Sequence, residues 1–336
     1  MHQYIASLVK HQDLSREQAA SAMELLMTGE ALPTHVSAFL VALAMKGETV
    51  DEITGLAEIM RKMATPIHTN RQPLVDTCGT GGDHSNTFNI STAAAFVVAG
   101  AGVAVAKHGN RSASSQCGSA DVLESLGINI EAGPDRVGAC IDEAGIGFLF
   151  ARLLHTAMKH VAPVRSELKI RTVFNILGPL TNPARACGQV MGVFDSALVE
   201  PLAHVLANLG ARRAFVVAGS DGLDELTLGG PSFVAEAVNG TVKTYEIDPA
   251  GLGLPHASRE AIAGGDAEAS ATILRGVLEG KPGPYRDVVV LNAAAGILAG
   301  QAGGEWREAV QAAQKSIDSG AALEKLEQLS RISHDS

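Results

Sequence analysis

Over residues 1–65 the apolar positions recur at helical spacing and predict four helices. Ser15 with Gln18 three residues on is a capping box that opens a striped helix stopping at Gly29. Thr34 is placed to cap the next helix, whose run Phe39, Leu40, Val41, Leu43, Ala44 ends at Gly47. Thr49 with Glu52 makes a second capping box ahead of Ile53, Leu56, Ile59 and Met60, and Pro66 closes the region.

From residue 74 the pattern changes to short apolar runs, each followed by a helical stretch. Runs 74–78, 103–106, 146–150, 214–218 and 288–291 are predicted as buried strands, with helices such as 92–99 and 197–208 between them. Segment 233–247 alternates weakly about Asn239-Gly240, a hairpin signal. The fold class is therefore α/β: a small all-helical N-terminal domain, then a larger α/β domain with a mostly parallel central sheet. In such sheets ligands sit beyond the carboxyl ends of the strands, so the loops after the strands carry the chemistry.

The length, 336 residues, fits two domains at about 150 residues each. Asp+Glu outnumber Lys+Arg by 36 to 26, a formal charge of −10, which argues against a nucleic-acid partner. No apolar run reaches the roughly 18 residues of a membrane span. Met1-His2-Gln3-Tyr4 does not open an export signal, and Cys78, Cys117, Cys140 and Cys187 form no C-x-x-C pair. A cytoplasmic enzyme with reduced thiols is the expectation.

Asp76-Thr77-Cys78-Gly79-Thr80-Gly81-Gly82-Asp83 follows the first strand directly. Its glycines let backbone approach a ligand, and successive N–H groups can form an anion nest, although the string is neither a P-loop nor a G-x-G-x-x-G fingerprint. Asn89-Ile90-Ser91-Thr92 then opens an Ala-rich helix, whose N-terminus suits an anion; the alternative is an ordinary strand-to-helix turn. After the second strand, Lys107-His108-Gly109-Asn110-Arg111 offers cations and an amide for a phosphorylated ligand, or else is a solvated basic loop. Ser119 is placed to cap the helix that follows Gly118 or to make a further ligand contact. Asp224-Glu225 has the hard oxygens that Mg²⁺ takes, and equally reads as a pair of helix-start acids; Asp221 reads as a turn residue. Residues 151–175 form a basic patch (Arg152, Lys159, Arg165, Lys169, Arg171, with His155 and His160) against the single acid Glu167. There Arg165 and Arg171 can fork onto a carboxylate, and His155 is either a hydrogen-bond donor or, as a lone His favours, a satisfied buried histidine. Cys78 has no base beside it and is rejected as a nucleophile.

The ordered set of these strings resembles the anthranilate phosphoribosyltransferase family of nucleoside phosphorylase-like transferases. The carriers are residues 76–83, 89–91, 107–111, 114–115, 118–124, 157–183 and 221–225, spread over roughly 10–330. The most specific is the basic block running through Arg171-Thr172-Val173-Phe174-Asn175-Ile176-Leu177-Gly178-Pro179-Leu180-Thr181-Asn182-Pro183. Where the family usually has Pro after the first His of that block, this chain has Thr156; where a Gly usually precedes Ile170, it has Lys169. Both bear on acceptor affinity and loop shape, and Lys169 is expected to resist a positive φ.

The resemblance implies a helical domain, 1–70 joined by roughly 160–185, and an α/β domain, 71–336, that binds 5-phosphoribosyl 1-diphosphate. The site would lie between them and two subunits would meet through the helical domain. It implies transfer of phosphoribosyl to the amino group of anthranilate, with release of diphosphate, in tryptophan biosynthesis. Gly79, Gly82, Asp83, Thr87, Asn89, Ile90, Ser91 and Thr92 would contact the diphosphate and ribose. Lys107, His108, Gly109, Asn110, Arg111, Ser112, Ala113, Ser114 and Ser115 would hold phosphates, with Ser119 close by. Ser91, Asp224 and Glu225 would bind Mg²⁺. Gly79, Asn110 and Arg165 would hold anthranilate, with His108 and His155 lining the entrance, and no residue is assigned as general base. Two rival readings are a pyrimidine nucleoside phosphorylase and a non-enzymatic nucleic-acid-binding paralogue of the same fold.

Overall fold

The computed structural model describes residues 1–83, 85–112, 116–301 and 303–335. Its N-terminal part is four helices, His2–Val9, Arg16–Met27, Pro33–Lys46 and Val50–Met63. Both capping boxes form: Ser15 and Thr49 accept from the N–H of Gln18 and Glu52, whose side chains reach back to the cap N–H groups. Thr34 does not cap its helix. The helix starts one residue earlier at Pro33, with Leu32 at the cap, because proline at a first position needs no N–H partner and has its φ preset.

The remainder is built on one seven-stranded sheet: β1 (Leu74–Asp76), β2 (Ala104–Gly109), β3 (Ile146–Phe150), β4 (Gly188–Gly192), β5 (Arg213–Gly219), β6 (Ser232–Val238) and β7 (Thr241–Ile247). The order is β3-β2-β1-β4-β5-β6-β7. β3 through β5 are parallel and β6 and β7 antiparallel, the latter pair joined at Asn239-Gly240 with both φ positive. Side chains alternate across the sheet: Phe215 and Val217 face one core, Ala214, Val216 and Ala218 the other. The second core is shared with the N-terminal helices and with Val161, Val164, Val173, Phe174, Ile176, Leu177 and Leu180. Residues Val161 to Leu180 thus share one core with those helices.

Residues 288–291 are not a strand. They are the middle of the helix Pro284–Gly300, buried without interruption from Val288 to Ala299. A helix covered on all sides shows no apolar stripe, so its β-branched triplet mimics a strand. β4 was not foreseen; it is five residues bounded by glycines that packing requires. An added Cβ would lie 2.5 Å from the Ala299 oxygen at Gly188, and 1.6 Å from the Asp224 oxygen at Gly192. Lys169 does take a left-handed conformation, φ 51°, at the end of the helix Ala162–Leu168, contrary to the expectation for a lysine. Such a residue costs about 1–2 kcal/mol; here it is the exposed C-cap of its helix, with its N–H donating to the Arg165 oxygen at 3.4 Å.

Candidate functional site

The chain leaves β1 for β2 and β3 on one side, then returns to place β4 on the other. This reversal opens a crevice beyond the ends of β1 and β4. Of the described residues named above for phosphate, metal or acceptor, all line a single cleft there of about 400 Å³ except His155 and Arg171. Ala113, Ser114 and Ser115 lie outside the described residues.

The floor is the loop after β1. Thr80 donates from its N–H to the Gly192 oxygen at 2.8 Å, and Gly79 passes so close to Gly192 that a Cβ would sit 2.9 Å from the same oxygen. Gly81 and Gly82 follow at φ +64° and +83°, a conformation glycine adopts freely. Lys107 rises from β2 with its side chain buried, and its Nζ donates to the Thr77 oxygen at 3.2 Å and the Thr77 hydroxyl at 3.3 Å. The helix Ile90–Gly100 points its N-terminus into the cleft.

The opposite wall is acidic. Asp224 and Glu225 stand in a loop laid over Gly192, and among the described residues no helix begins there, which removes the helix-start alternative. Asp83 joins them, its Oδ2 accepting from the Asp224 N–H at 3.3 Å. Desolvation, then Asp83 and Glu225, raise the Asp224 carboxyl well above its usual range. Glu225 is pushed up to about 7, mainly by desolvation, with Lys107 opposing. Three carboxylates that repel one another in a partly dry cleft suit a divalent cation.

Arg165, on the helix Ala162–Leu168, lines the far end of the cleft with its guanidinium over the Phe174 ring, 4.9 Å to the centroid. Among the described residues it makes no ion pair, and burial lowers its pKa. Arg171 is not a second free fork: it donates to the Gly82 oxygen and lies over the Phe194 ring. Arg111 is likewise occupied, paired with Asp121 and Glu124 at 2.8 Å each. Ser119 does not cap its helix; Gly118 does, its N–H reaching Asp121, while the Ser119 hydroxyl donates to the Asn110 oxygen at 3.3 Å.

His108 and His155 do not form an open entrance. Both are buried, with their Nε2 atoms 3.2 Å apart, and His155 stands behind His108, off the cleft lining. Desolvation pushes His108 down to about 3 and His155 to about 4, so both are neutral. Among the described residues, two buried polar atoms of cleft residues have no hydrogen-bond partner: Asn89 Oδ1 and Thr92 Oγ1. Orphans gathered on one lining fit a site completed by a polar ligand.

Sequence reasoning gave no role to Asp76 or Asn182. Asp76 is fully buried and accepts from the His108 N–H at 3.0 Å and from Asn182 Nδ2 at 2.7 Å, tying β1 to β2 and to the end of the basic block. A carboxylate ending an apolar strand was the available signal. The cleft also takes Phe174, Asn175, Gly178 and Pro179, where the turn dipeptide Gly178-Pro179 was a mark. Cys78 stays excluded as a nucleophile, since desolvation and Asp76 push its thiol up.

Fold and site together define a two-part glycosyl transferase: residues 2–64 match the helical bundle domain of the glycosyl transferase family and residues 71–323 its a/b domain. The chain is 57% identical over 334 residues to the anthranilate phosphoribosyltransferase of Symbiobacterium thermophilum, covering 99% of this chain and 98% of that one. It is 56% identical over 323 residues to that of Moorella thermoacetica, covering 96% and 95%. Among solved structures, the enzyme from Thermus thermophilus superposes with a TM-score of 0.94 at 46% identity, 99% of both chains being covered. The Saccharomyces cerevisiae enzyme in complex with PRPP and Mg superposes at 0.90 with 29% identity, covering 99% of this chain and 97% of that one. The chain belongs to the anthranilate phosphoribosyltransferase family. No helix is long and apolar enough to cross a membrane among the described residues.

Proposed function

We infer that this chain transfers the phosphoribosyl group of 5-phosphoribosyl 1-diphosphate to the amino nitrogen of anthranilate, giving N-(5-phosphoribosyl)anthranilate and diphosphate in tryptophan biosynthesis. The observation that carries the reading is the cleft itself, with a buried lysine and loop amides on one wall facing three carboxylates on the other.

The new C–N bond forms at the anomeric carbon as the C–O bond to diphosphate breaks, and the nitrogen loses one proton. An aromatic amine is neutral at pH 7 and needs no activation, so the barrier lies in the departing diphosphate and the positive charge left on the sugar. Backbone amides of residues 79–83, the Ile90–Gly100 helix terminus and Lys107 hold the leaving group from one side. Asn110 and Ser119 shape the phosphate loop. Ser91, Asp224 and Glu225 are the residues to hold Mg²⁺, beside Asp83, and the cation when bound neutralises charge developing on the diphosphate. Arg165 takes the anthranilate carboxylate and aims the amine. No side chain is assigned to receive the proton.

Division into residues 1–70 with 160–185 and residues 71–336 suits this mechanism, because the acceptor arginine then rides with the helical part. A homodimer through that part belongs to the same reading. Four free cysteines suit the cytoplasm. The purified protein with anthranilate, 5-phosphoribosyl 1-diphosphate and Mg²⁺ is expected to extinguish anthranilate fluorescence. Phosphorolysis of uridine or thymidine without that change would refute the reading.

A further inference from the structure

We propose that Arg171 is a positioning residue for the leaving diphosphate: it holds the Gly82 carbonyl behind the cleft, so that the Asp83 N–H faces into it. The inference rests on the transfer proposed above and adds a residue to it.

The first half of the loop after β1 is riveted to β4 by Thr80, whose N–H and hydroxyl both reach the Gly192 oxygen, at 2.8 and 3.3 Å. The second half is held through Asp224, whose N–H donates to Asp83 Oδ2 at 3.3 Å and whose carboxylate takes the Gly81 N–H, and these contacts leave the Gly82 carbonyl unplaced. Gly81 and Gly82 are both left-handed, and two consecutive glycines have many conformations to choose from. The hydrogen bond from Arg171 to the Gly82 oxygen removes that choice. Gly82 lines the main cleft and Arg171 does not; Arg171 lines a separate hollow of about 390 Å³ at the ends of β4 and β5. The Gly82 carbonyl is therefore drawn out through the back of the loop. In a trans peptide the C=O and the following N–H point in opposite directions, so the Asp83 N–H is turned to the cleft side. Among the described residues no acceptor takes that N–H.

An arginine is suited to this task. Its plane lies on the Phe194 ring at 3.9 Å while an edge donates to Gly82, a pose a lysine reproduces only in part. Arg171 also stands between the helices Ala162–Leu168 and Phe174–Leu177, whose Val164, Phe174 and Leu177 belong to the core of the N-terminal helices. The shape of the diphosphate loop is thereby tied to where the helical part sits, and that part also carries Arg165.

The test compares wild type, R171A and R171K by calorimetric titration with inorganic diphosphate and Mg²⁺, by steady-state kinetics and by thermal unfolding. A loop amide turned from its place is expected to weaken diphosphate binding and raise the KM for 5-phosphoribosyl 1-diphosphate about tenfold, with a lower kcat. The anthranilate KM should stay within about twofold, the unfolding midpoint should hold, and R171K should recover part of the loss. R171A binding diphosphate as tightly as wild type would overturn the proposal. So would equal losses for both substrates that track a lowered midpoint. Should R171A not fold, R171Q answers by the same criteria. If wild type binds diphosphate yet leaves anthranilate untouched, the transfer reading fails while the comparison of diphosphate affinities still decides the role of Arg171.

Discussion

Arg165 and Arg171 sit six positions apart on one basic block, yet their surroundings give them opposite tasks. Arg171 spends its guanidinium on Gly82 and Phe194, whereas Arg165 has an aromatic face to lie on and no carboxylate within reach among the described residues. A charged hydrogen bond to a ligand carboxylate contributes about 1.5–3 kcal/mol, so Arg165→Ala should raise the anthranilate KM roughly tenfold to a hundredfold. Initial rates at saturating 5-phosphoribosyl 1-diphosphate should show kcat changed far less. His155 gives a second prediction. Its folded pKa, about 4, lies below the ordinary 6.5 because burial disfavours the imidazolium. Between those values the unfolded chain binds the extra proton, so the stability His155 carries is complete above pH 6.5 and is lost as the pH falls toward 4. Urea unfolding at pH 7.5 and pH 5 should therefore show wild type losing about 2 kcal/mol more than His155→Asn over that interval. Exposure and partners are tertiary facts, so the sequence left Arg171 a free fork; for His155 the residue type favoured a satisfied buried histidine, as found, while the resemblance implied a place at an entrance.

At the scale of the element, local chemistry was readable wherever the chain answers to its neighbours in sequence. The two capping boxes, the Asn239-Gly240 hairpin and the strand Ile146–Phe150 are such cases. Elements governed by long-range packing were not. The Pro284–Gly300 helix is buried from Val288 to Ala299, so only the length of that buried run, which includes the polar Asn292, and not its periodicity separated it from a strand. β4 owes its glycines to remote contacts, and Gly192 is the sharper example. The Asp224 carbonyl occupies the space a side chain would take, and this places the acidic loop over the diphosphate loop. Gly192→Ala should force that loop away, costing about 1–3 kcal/mol by overpacking and reducing turnover out of proportion. Thermal unfolding and the fluorescence assay on one preparation would separate the two effects.

For the molecule as a whole, the sheet order does the assembling. The reversal between β1 and β4 brings residues 79–83, 85–92, 107–112, 117–119 and 224–225 to one crevice, and Arg165 lines it from a helix whose Val164 packs in the core of the N-terminal helices. No periodicity foretells that convergence; the strings that carry the resemblance lie on these loops, while contacts such as Asp83 against Asp224 and Asp76 against Asn182 depend on the tertiary fold. With two of the facing acids neutralised, Asp224→Asn with Glu225→Gln should raise the Mg²⁺ concentration for half-maximal rate about tenfold or more, an effect a metal titration of initial rates would register. The most direct measurement is a crystal of the wild-type protein holding Mg²⁺, 5-phosphoribosyl 1-diphosphate and an anthranilate analogue that cannot react. The account requires diphosphate against the Gly79–Asp83 loop and Lys107, the cation on Asp224 and Glu225, and the analogue's carboxylate on Arg165. Density for the diphosphate or the cation in any other part of the molecule, with this crevice vacant, would contradict it.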